Sequence, residues 1–398
     1  MTTPAAAARP TLRILGIRGI PAAHGGFESF AESLALHLVA EGWRVIVYCQ
    51  EDGDGPQREE AWQGIERIVV PVATPGTAGT VVFDWRCIAH VLAHARTHGA
   101  AATGLCLTLG YNTALFCARL AWAGVRNVIN MDGIEWRRDK WGAVAKAWFW
   151  LNELAGARLG DHLVADHPSI KAHLATRTAE ARITAIPYGA DAVPRADTPA
   201  VHQALAQRGL ISGGYATLIA RPEPENSILE VVQAWSARRR GCLLAVLGRY
   251  DDADPYHRRV RAAAGPEVRF LGAIYDRELV PQLRAHGRLY LHGHQVGGTN
   301  PSLVEALGAG NAVVAHDNRF NRWVAGPGAA YFTDAASLDA VLTPLLAEPA
   351  RLAAMAAASR ARHAEAFTQQ GVLAQHTALL RQWLPGAVAE GRAAAWRG

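Results

Sequence analysis

Apolar residues run along this chain in two alternating textures. Short continuous runs are each followed by a longer stretch in which apolar positions return every third or fourth residue. Arg13–Ile17 is the first run, with Gly16 near its end. A loop from Arg18 to Gly26 follows. Phe27, Phe30, Ala31, Leu34, Ala35 and Leu38 then lie at helical spacing, which assigns Glu28 and Glu32 to the opposite face. Gly42 stops that helix and Trp43–Cys49 reads as the next strand. Strand-like runs recur at Ile65–Val70, Leu105–Leu109, Val125–Asn130, His162–Ala165 and Ile183–Ile186, with helical segments between most of them. Such alternation predicts a parallel sheet covered by helices. Past Pro187-Tyr-Gly-Ala-Asp191, a polar stretch reaches about Gly214. A second series then begins at Tyr215–Ala220 and continues through Leu243–Leu247, Val268–Leu271, Leu289–His292 and Ala312–Ala315. The pattern predicts an α/β protein of two doubly wound, Rossmann-like domains, residues 1–191 and 192–375. An Ala-rich helical tail, 376–398, follows, with Leu379, Leu380, Trp383 and Leu384 on its apolar face.

Composition narrows the class further. A chain of 398 residues suits two or three domains and buries its core without staples. Half of the residues are hydrophobic and 19% are charged, which is globular rather than disordered. The net charge of +5 is uneven. Residues 1–194 carry 18 of each sign, and the remainder carries 22 basic against 17 acidic. An anionic small ligand accounts for that excess as well as a polyanion does, and no nucleic acid is expected. Cys49, Cys87, Cys106, Cys117 and Cys242 form no CxxC pair, so buried thiols in a reducing compartment are expected, with no metal framework. Thr97–Ala118 has no formal charge over 22 residues, but its glycines and threonines read as strand, turn and helix rather than as a membrane span. The first residues lack the apolar core of a signal peptide, and a cytoplasmic protein is expected.

Two loops at strand ends could carry chemistry. Glycines 16, 19, 25 and 26 would let the backbone approach a ligand, and Gly25-Gly26 stand before a helix N-terminus that favours an anion. The spacing is not G-x-G-x-x-G, so no dinucleotide fingerprint is met. In the second half, His292-Gly-His-Gln-Val-Gly-Gly-Thr-Asn-Pro-Ser-Leu-Val-Glu305 ends a strand and opens a helix, with Asn300 suited to the cap and Pro301 to the first helical position. The amides around Gly298, Thr299, Ser302 and Leu303 are then expected to cradle a diphosphate. Glu305, in a run of Leu303, Val304, Ala306 and Leu307, would be costly to leave unpaired and could accept from a sugar hydroxyl. Arg221 follows the predicted strand Tyr215–Ala220 and could fork onto phosphate oxygens, or simply pair with Glu223 or Glu225. Asp132 ends a strand of the first domain, where it could orient or deprotonate an acceptor hydroxyl or merely serve a turn. Trp136, Arg137, Arg138, Lys140, Trp141, Lys146, Trp148, Phe149 and Trp150 follow closely. They suit an anionic membrane interface, or a part-buried helix with snorkelling cations.

Taken together, these segments resemble a known family. Gly16-Ile-Arg-Gly-Ile-Pro with His-Gly-Gly-Phe-Glu28 is similar to the N-terminal signature of a bacterial subgroup of glycosyltransferase family 4, the rhamnosyltransferases of capsule, exopolysaccharide and O-antigen assembly. The resemblance continues through Asp132-Gly-Ile-Glu-Trp, Ile186-Pro-Tyr-Gly-Ala-Asp191, Ala220-Arg-Pro-Glu-Pro-Glu-Asn226, Phe270-Leu-Gly-Ala-Ile-Tyr-Asp276 and Gly297-Gly-Thr-Asn-Pro-Ser-Leu-Val-Glu305. It implies the GT-B fold, two Rossmann-like domains facing across a cleft, with a C-terminal helix returning to the first domain. It also implies metal-independent, retaining transfer from a nucleotide-activated sugar, such as dTDP-rhamnose, to a glycan or polyprenyl-diphosphate-linked acceptor. No cofactor is implied, and a peripheral place on an anionic membrane face would suit such an acceptor.

By the same resemblance Arg221 matches the family's diphosphate-binding Arg, while Asn226 stands at the position of its Lys. Glu305 matches the second of a Glu pair, while Gly297 stands where the first would be. The subgroup shares both departures. His292 and His294 are candidates to supplement Arg221. Glu28 and Glu135 join Asp132 as candidates for the sugar or acceptor, and backbone at Ala273, Ile274 and Tyr275 is implied to meet the base. A nicotinamide-dependent oxidoreductase, a sugar-binding assembly protein without catalysis and a GT-B epimerase are the competing classes.

Overall fold

Both alternating series close into sheets in the computed structural model, which describes residues 9–22 and 25–385. His24 of the first loop and residues 386–398 of the predicted tail lie outside the described residues. In the first unit the strands are β1 (Thr11–Leu15), β2 (Arg44–Asp52), β3 (Arg58–Trp62), β4 (Ile65–Val72), β5 (Leu105–Leu109), β6 (Asn127–Asn130), β7 (His162–Ala165) and β8 (Ile183–Ala185). Their order is β3-β4-β2-β1-β5-β6-β7-β8, parallel throughout except at β3. The inner strands are apolar on both faces because helices cover both sides. The edge strand β3 reads Arg-Glu-Glu-Ala-Trp and no hydrophobic period announces it. It is added through the antiparallel ladder and cross-strand charge, with Glu60 opposite Arg67 at 3.0 Å.

One buried carboxyl of this unit gives a pH-dependent stability. Asp84, on the helix Gly76–His98, is buried and accepts a 2.7 Å hydrogen bond from the Thr113 hydroxyl. Burial pushes its carboxyl up to about 6, and the Thr113 bond only partly offsets that. The folded state therefore binds a proton more tightly than the unfolded chain does. The contribution of Asp84 to stability is fully present below about pH 4 and is lost as pH rises through 6. Asp84→Asn is expected to raise the thermal midpoint at pH 7, by no more than about 3 kcal/mol in stability, and to change little at pH 4. Parallel melts at the two pH values check it; an equal effect at both would remove the carboxyl charge as the cause.

The second unit contains β9 (Tyr215–Ile219), β10 (Leu243–Leu247), β11 (Val268–Gly272), β12 (Leu289–His292), β13 (Val313–His316) and β14 (Ala330–Phe332), all parallel, in the order β11-β10-β9-β12-β13-β14. Trp235, Leu218, Val246, Leu291 and Leu342 form the core on one side, and Tyr290, Leu303, Leu307, Val313 and Phe367 that on the other. The three-residue β14 is too short for its period to be read in advance.

The unit boundary falls at Ile186/Pro187, somewhat before residue 192. The reason is backbone pairing. Ala190 exchanges hydrogen bonds with Phe367 and Gln369, its carbonyl meets the His363 ring at 2.8 Å, and Val193 N–H donates to Gly308. The Pro187–Asp191 motif is thus built into the second unit. The helix Gln369–Trp383 begins in that unit and ends in the first. There His376 packs on Phe30 at 4.7 Å, Trp383 on His162 at 5.1 Å, and Arg381 meets Glu41 at 2.8 Å.

Each sheet reverses its strand order once, between β1 and β5 in the first unit and between β9 and β12 in the second. At such a switch point, neighbouring loops leave in opposite directions and open a crevice at the carboxyl ends of the strands, where open α/β sheets bind ligands.

Candidate functional site

In the second unit the crevice is built from the loops after β9 and β12. Gly293 lies directly against the first of these loops, since a Cβ there would stand 2.1 Å from the Asn226 carbonyl oxygen. Gln295 N–H donates to the Glu225 carbonyl at 2.9 Å, and its side-chain amide donates to the Ser227 hydroxyl at 2.8 Å. Ser227 is held in left-handed backbone, φ +48°, to turn the chain into the helix Ile228–Ser236. Asn318 and Asn321 brace the other side by donating to the His294 carbonyl. The two loops form one fixed floor.

Arg221 stands on this floor with its side chain 73% exposed, and Glu223 is a loose partner at 3.8 Å. Asn226 takes a different role from the diphosphate contact expected of it. It is buried and donates its side-chain amide to the Arg221 carbonyl at 2.8 Å, so it fixes the loop that carries the cation.

The helix Pro301–Gly308 begins as its sequence predicts, with the Asn300 side chain accepting from Ser302 N–H at 3.0 Å. That cap corrects part of the expected anion cradle. The Ser302 amide is engaged by the cap, the Leu303 amide donates to the Asn300 carbonyl, and Thr299 is buried. The Ser302 hydroxyl also points inward, to Tyr290 at 2.7 Å and Arg284 at 2.8 Å. Gly298 remains in the loop, after Gly297 at φ +120°.

Glu305 is half-exposed, unlike its buried neighbours, and it is paired. Arg284, 4% exposed on the helix Leu279–Ala285, reaches its carboxylate at 2.6 Å. The guanidinium is wedged between Tyr290 and Ser302 and meets no other carboxylate among the described residues, so it holds Glu305 at the mouth of the crevice. Sequence reasoning missed Arg284. Its only signal is an Arg within the apolar helix Leu279-Val-Pro-Gln-Leu-Arg-Ala, which reads equally well as a surface cation.

His292 is almost fully enclosed and so does not reach a ligand as a sugar contact would. Neither ring nitrogen has a hydrogen-bond partner among the described residues, and His294 stacks on the ring at 4.4 Å. Burial first, then the neighbouring His294 and Arg284, hold its imidazole well below the ordinary value, hence neutral at pH 7. Ala273, Ile274 and Tyr275 follow the edge strand β11. Ile274 packs inward, while Tyr275 is 83% exposed.

In the first unit, Gly16 (φ +82°) passes so near β5 that a Cβ would meet the Leu109 carbonyl at 2.3 Å. Phe27 lies beside Gly110, so the Gly25-Gly26 turn stands at the carboxyl end of β5. Glu28 and Glu32 do not face outward as the period assigned them. Both are buried, and they accept from the loop amides of Arg18 at 3.3 Å and Ala22 at 2.5 Å. Asp132 follows β6 in left-handed backbone, φ +51°, with its N–H donated to Asn130 at 3.1 Å. Glu135 is committed elsewhere: Arg138 at 2.8 Å and the Trp141 indole at 3.1 Å occupy its two oxygens. All five cysteines are free and buried, and no metal-holding group of His, Cys, Asp and Glu occurs among the described residues.

A family model described as a domain of unknown function, DUF1972, matches residues 10–191, less than half of the chain. By sequence, no curated protein matches. Solved structures match across both units. Sucrose-phosphate synthase from Thermosynechococcus elongatus gives a TM-score of 0.74 at 17% identity, covering 94% of this chain and 99% of that one. HepE of Anabaena in complex with UDP-glucose gives 0.71 at 16%, covering 94% and 99%. A glycosyltransferase from Rickettsia africae gives 0.69 at 13%, covering 94% and 98%. The chain has the GT-B fold of these glycosyltransferases, two Rossmann-like α/β domains.

Proposed function

We propose that the protein is a retaining glycosyltransferase that moves L-rhamnose from dTDP-rhamnose to a glycan or polyprenyl-diphosphate-linked acceptor in surface-polysaccharide synthesis. The observation that carries the reading is the crevice of the second unit, where an exposed Arg221 and an Arg284-held Glu305 occupy the switch point of a GT-B sheet. HepE was solved with UDP-glucose, and the shared fold supports a nucleotide-sugar donor here. The choice of rhamnose and dTDP rests on the resemblance of the motifs. A cytoplasmic site of action is consistent with five free thiols.

Arg221 neutralises the departing diphosphate, aided by backbone at Gly298, so no metal is required for that task. Glu305 accepts hydrogen bonds from donor hydroxyls and is prevented from turning by Arg284. Tyr275 and its neighbours meet the base. In retaining transfer the departing phosphate oxygen takes the acceptor's proton, and Asp132 orients the acceptor hydroxyl. Arg221→Ala is expected to lower turnover by about ten- to a thousandfold, on the scale of losing one transition-state charge contact. Release of nucleotide diphosphate from dTDP-rhamnose, followed with and without acceptor, tests it. A variant as fast as the wild type would overturn the assignment.

A further inference from the structure

The helix Ala143–Leu159 in the first unit is apolar on the side that packs inward and on the side that does not. Phe149, Gly156 and Ala157 are buried, and Asn152 and Glu153 are satisfied beneath them. Opposite, Val144 (86% exposed), Trp148 and Leu151 recur at i, i+4 and i+7 and face outward. A helix hydrophobic on all sides ordinarily has both sides covered.

The exposed strip continues beyond the helix. Leu115 N–H donates to Asn152, and the Trp148 indole donates to the Asn112 carbonyl, which seats the 112–117 turn against the helix. Past this turn, Phe116 packs on Trp85 at 5.2 Å and Arg119 lies over the Trp85 ring at 4.1 Å. Trp122, three residues on from Arg119, is 85% exposed. Most of the Trp136–Trp150 stretch singled out from sequence is not part of this surface: the indole of Trp136 is tied to Glu153 and that of Trp141 to Glu135.

We propose that this face docks on an anionic lipid bilayer. The argument is charge. The elements that form the strip, Gly76–His98, Ala114–Cys117, Ala118–Trp122 and Ala143–Leu159, carry two carboxylates, Asp84 and Glu153, and both are buried. Arg119 and Arg158 border the apolar residues, whereas Lys146, two residues on from Val144, lies round the helix from them and pairs with Asp139 at 3.5 Å. A second copy on this face would set cation against cation, whereas a layer of anionic headgroups neutralises them. Indoles with polar edges fit the boundary between headgroup and acyl chain. No single helix among the described residues is long and apolar enough to cross a membrane, and the strip itself lies on the surface of the first unit. The inference does not depend on how the second unit is read.

The test is co-sedimentation of the full chain with vesicles at low salt. One set is phosphatidylcholine alone, and the other is equal parts phosphatidylcholine and phosphatidylglycerol. Binding to the anionic set is expected, weakened by added salt. Leu151→Glu and Val144→Glu should each lower that binding by about tenfold or more. Ile211→Glu, an exposed apolar position in the second unit, should leave it unchanged. All three should keep the wild-type melting profile and response to nucleotide. Absence of wild-type binding to the anionic vesicles, or undiminished binding by Leu151→Glu, overturns the proposal. So does self-association of the wild type in ultracentrifugation that Leu151→Glu abolishes, because the face would then belong to a second copy.

Discussion

Alanine at Glu305 is expected to lower donor turnover by about ten- to a thousandfold and, separately, to destabilise the unit that carries it. The first effect follows from removing the carboxylate that Arg284 holds at 2.6 Å at the switch point. The second follows from what remains. The Arg284 guanidinium is 4% exposed, and among the described residues its Nε has no partner and no other carboxylate meets it. Breaking a fully buried pair costs roughly 3–5 kcal/mol. Glu305 is half-exposed and water reaches its side of the pair, so about 2 kcal/mol is expected. Arg284→Met removes the enclosed charge instead and should cost less stability while also losing turnover, because Glu305 is no longer held. The double variant should be more stable than Glu305→Ala alone. Denaturant unfolding of the four proteins measures this, and a double variant less stable than Glu305→Ala would refute the charge argument.

Gly293→Ala is the second large effect. The added methyl would stand 2.1 Å from the Asn226 carbonyl oxygen and 3.0 Å from its carbon, and both atoms are backbone. Neither can rotate away, so the whole Arg221–Ser227 turn must shift. Overpacking of this kind costs about 1–3 kcal/mol, and more where backbone must move. Because the shifted turn carries Arg221, the nucleotide response should fall along with the melting temperature. Gly297 provides the contrast within the same loop. A Cβ there meets nothing within 4 Å, so Gly297→Ala carries only the backbone strain of φ +120°. The two alanine variants should differ clearly in nucleotide-induced stabilisation. Equal losses would mean that the contact at Asn226 does not set the position of Arg221.

Strands buried on both faces were the most legible part of the chain. Leu105–Leu109, His162–Ala165, Leu243–Leu247 and Leu289–His292 are found where their apolar runs place them, because a doubly covered strand needs no other signal. Strand β3 was not legible, since cross-strand charge rather than burial holds it, and three-residue β14 was too short. At the site, Arg221 and Asn300 could be placed from sequence because strand ends and helix caps have local signatures, whereas the close approach of Gly293 to Asn226 shows only in the fold. The direction in which a side chain points could not. Glu28 looked exposed by helical period and is turned inward by the Arg18 amide. Ser302 looked available and is consumed by its own cap and by Tyr290. Arg284 was invisible because its partner is 21 positions away in the chain, and only the fold brings them together.

The central claim, a nucleoside-diphosphate site in the second unit, is tested most directly by a thermal-shift series with dTDP, UDP, GDP and NAD. Ligand at a hundred times its dissociation constant adds about 2.7 kcal/mol of stability. That is a rise of several degrees for a domain of this size, at roughly 2–4 °C per kcal/mol. Selective stabilisation by dTDP, lost in Arg221→Ala and Gly293→Ala, is the expected result. Stabilisation by UDP or GDP instead would keep the site and change the sugar. A response to NAD alone, or to none of the four, would contradict the claim.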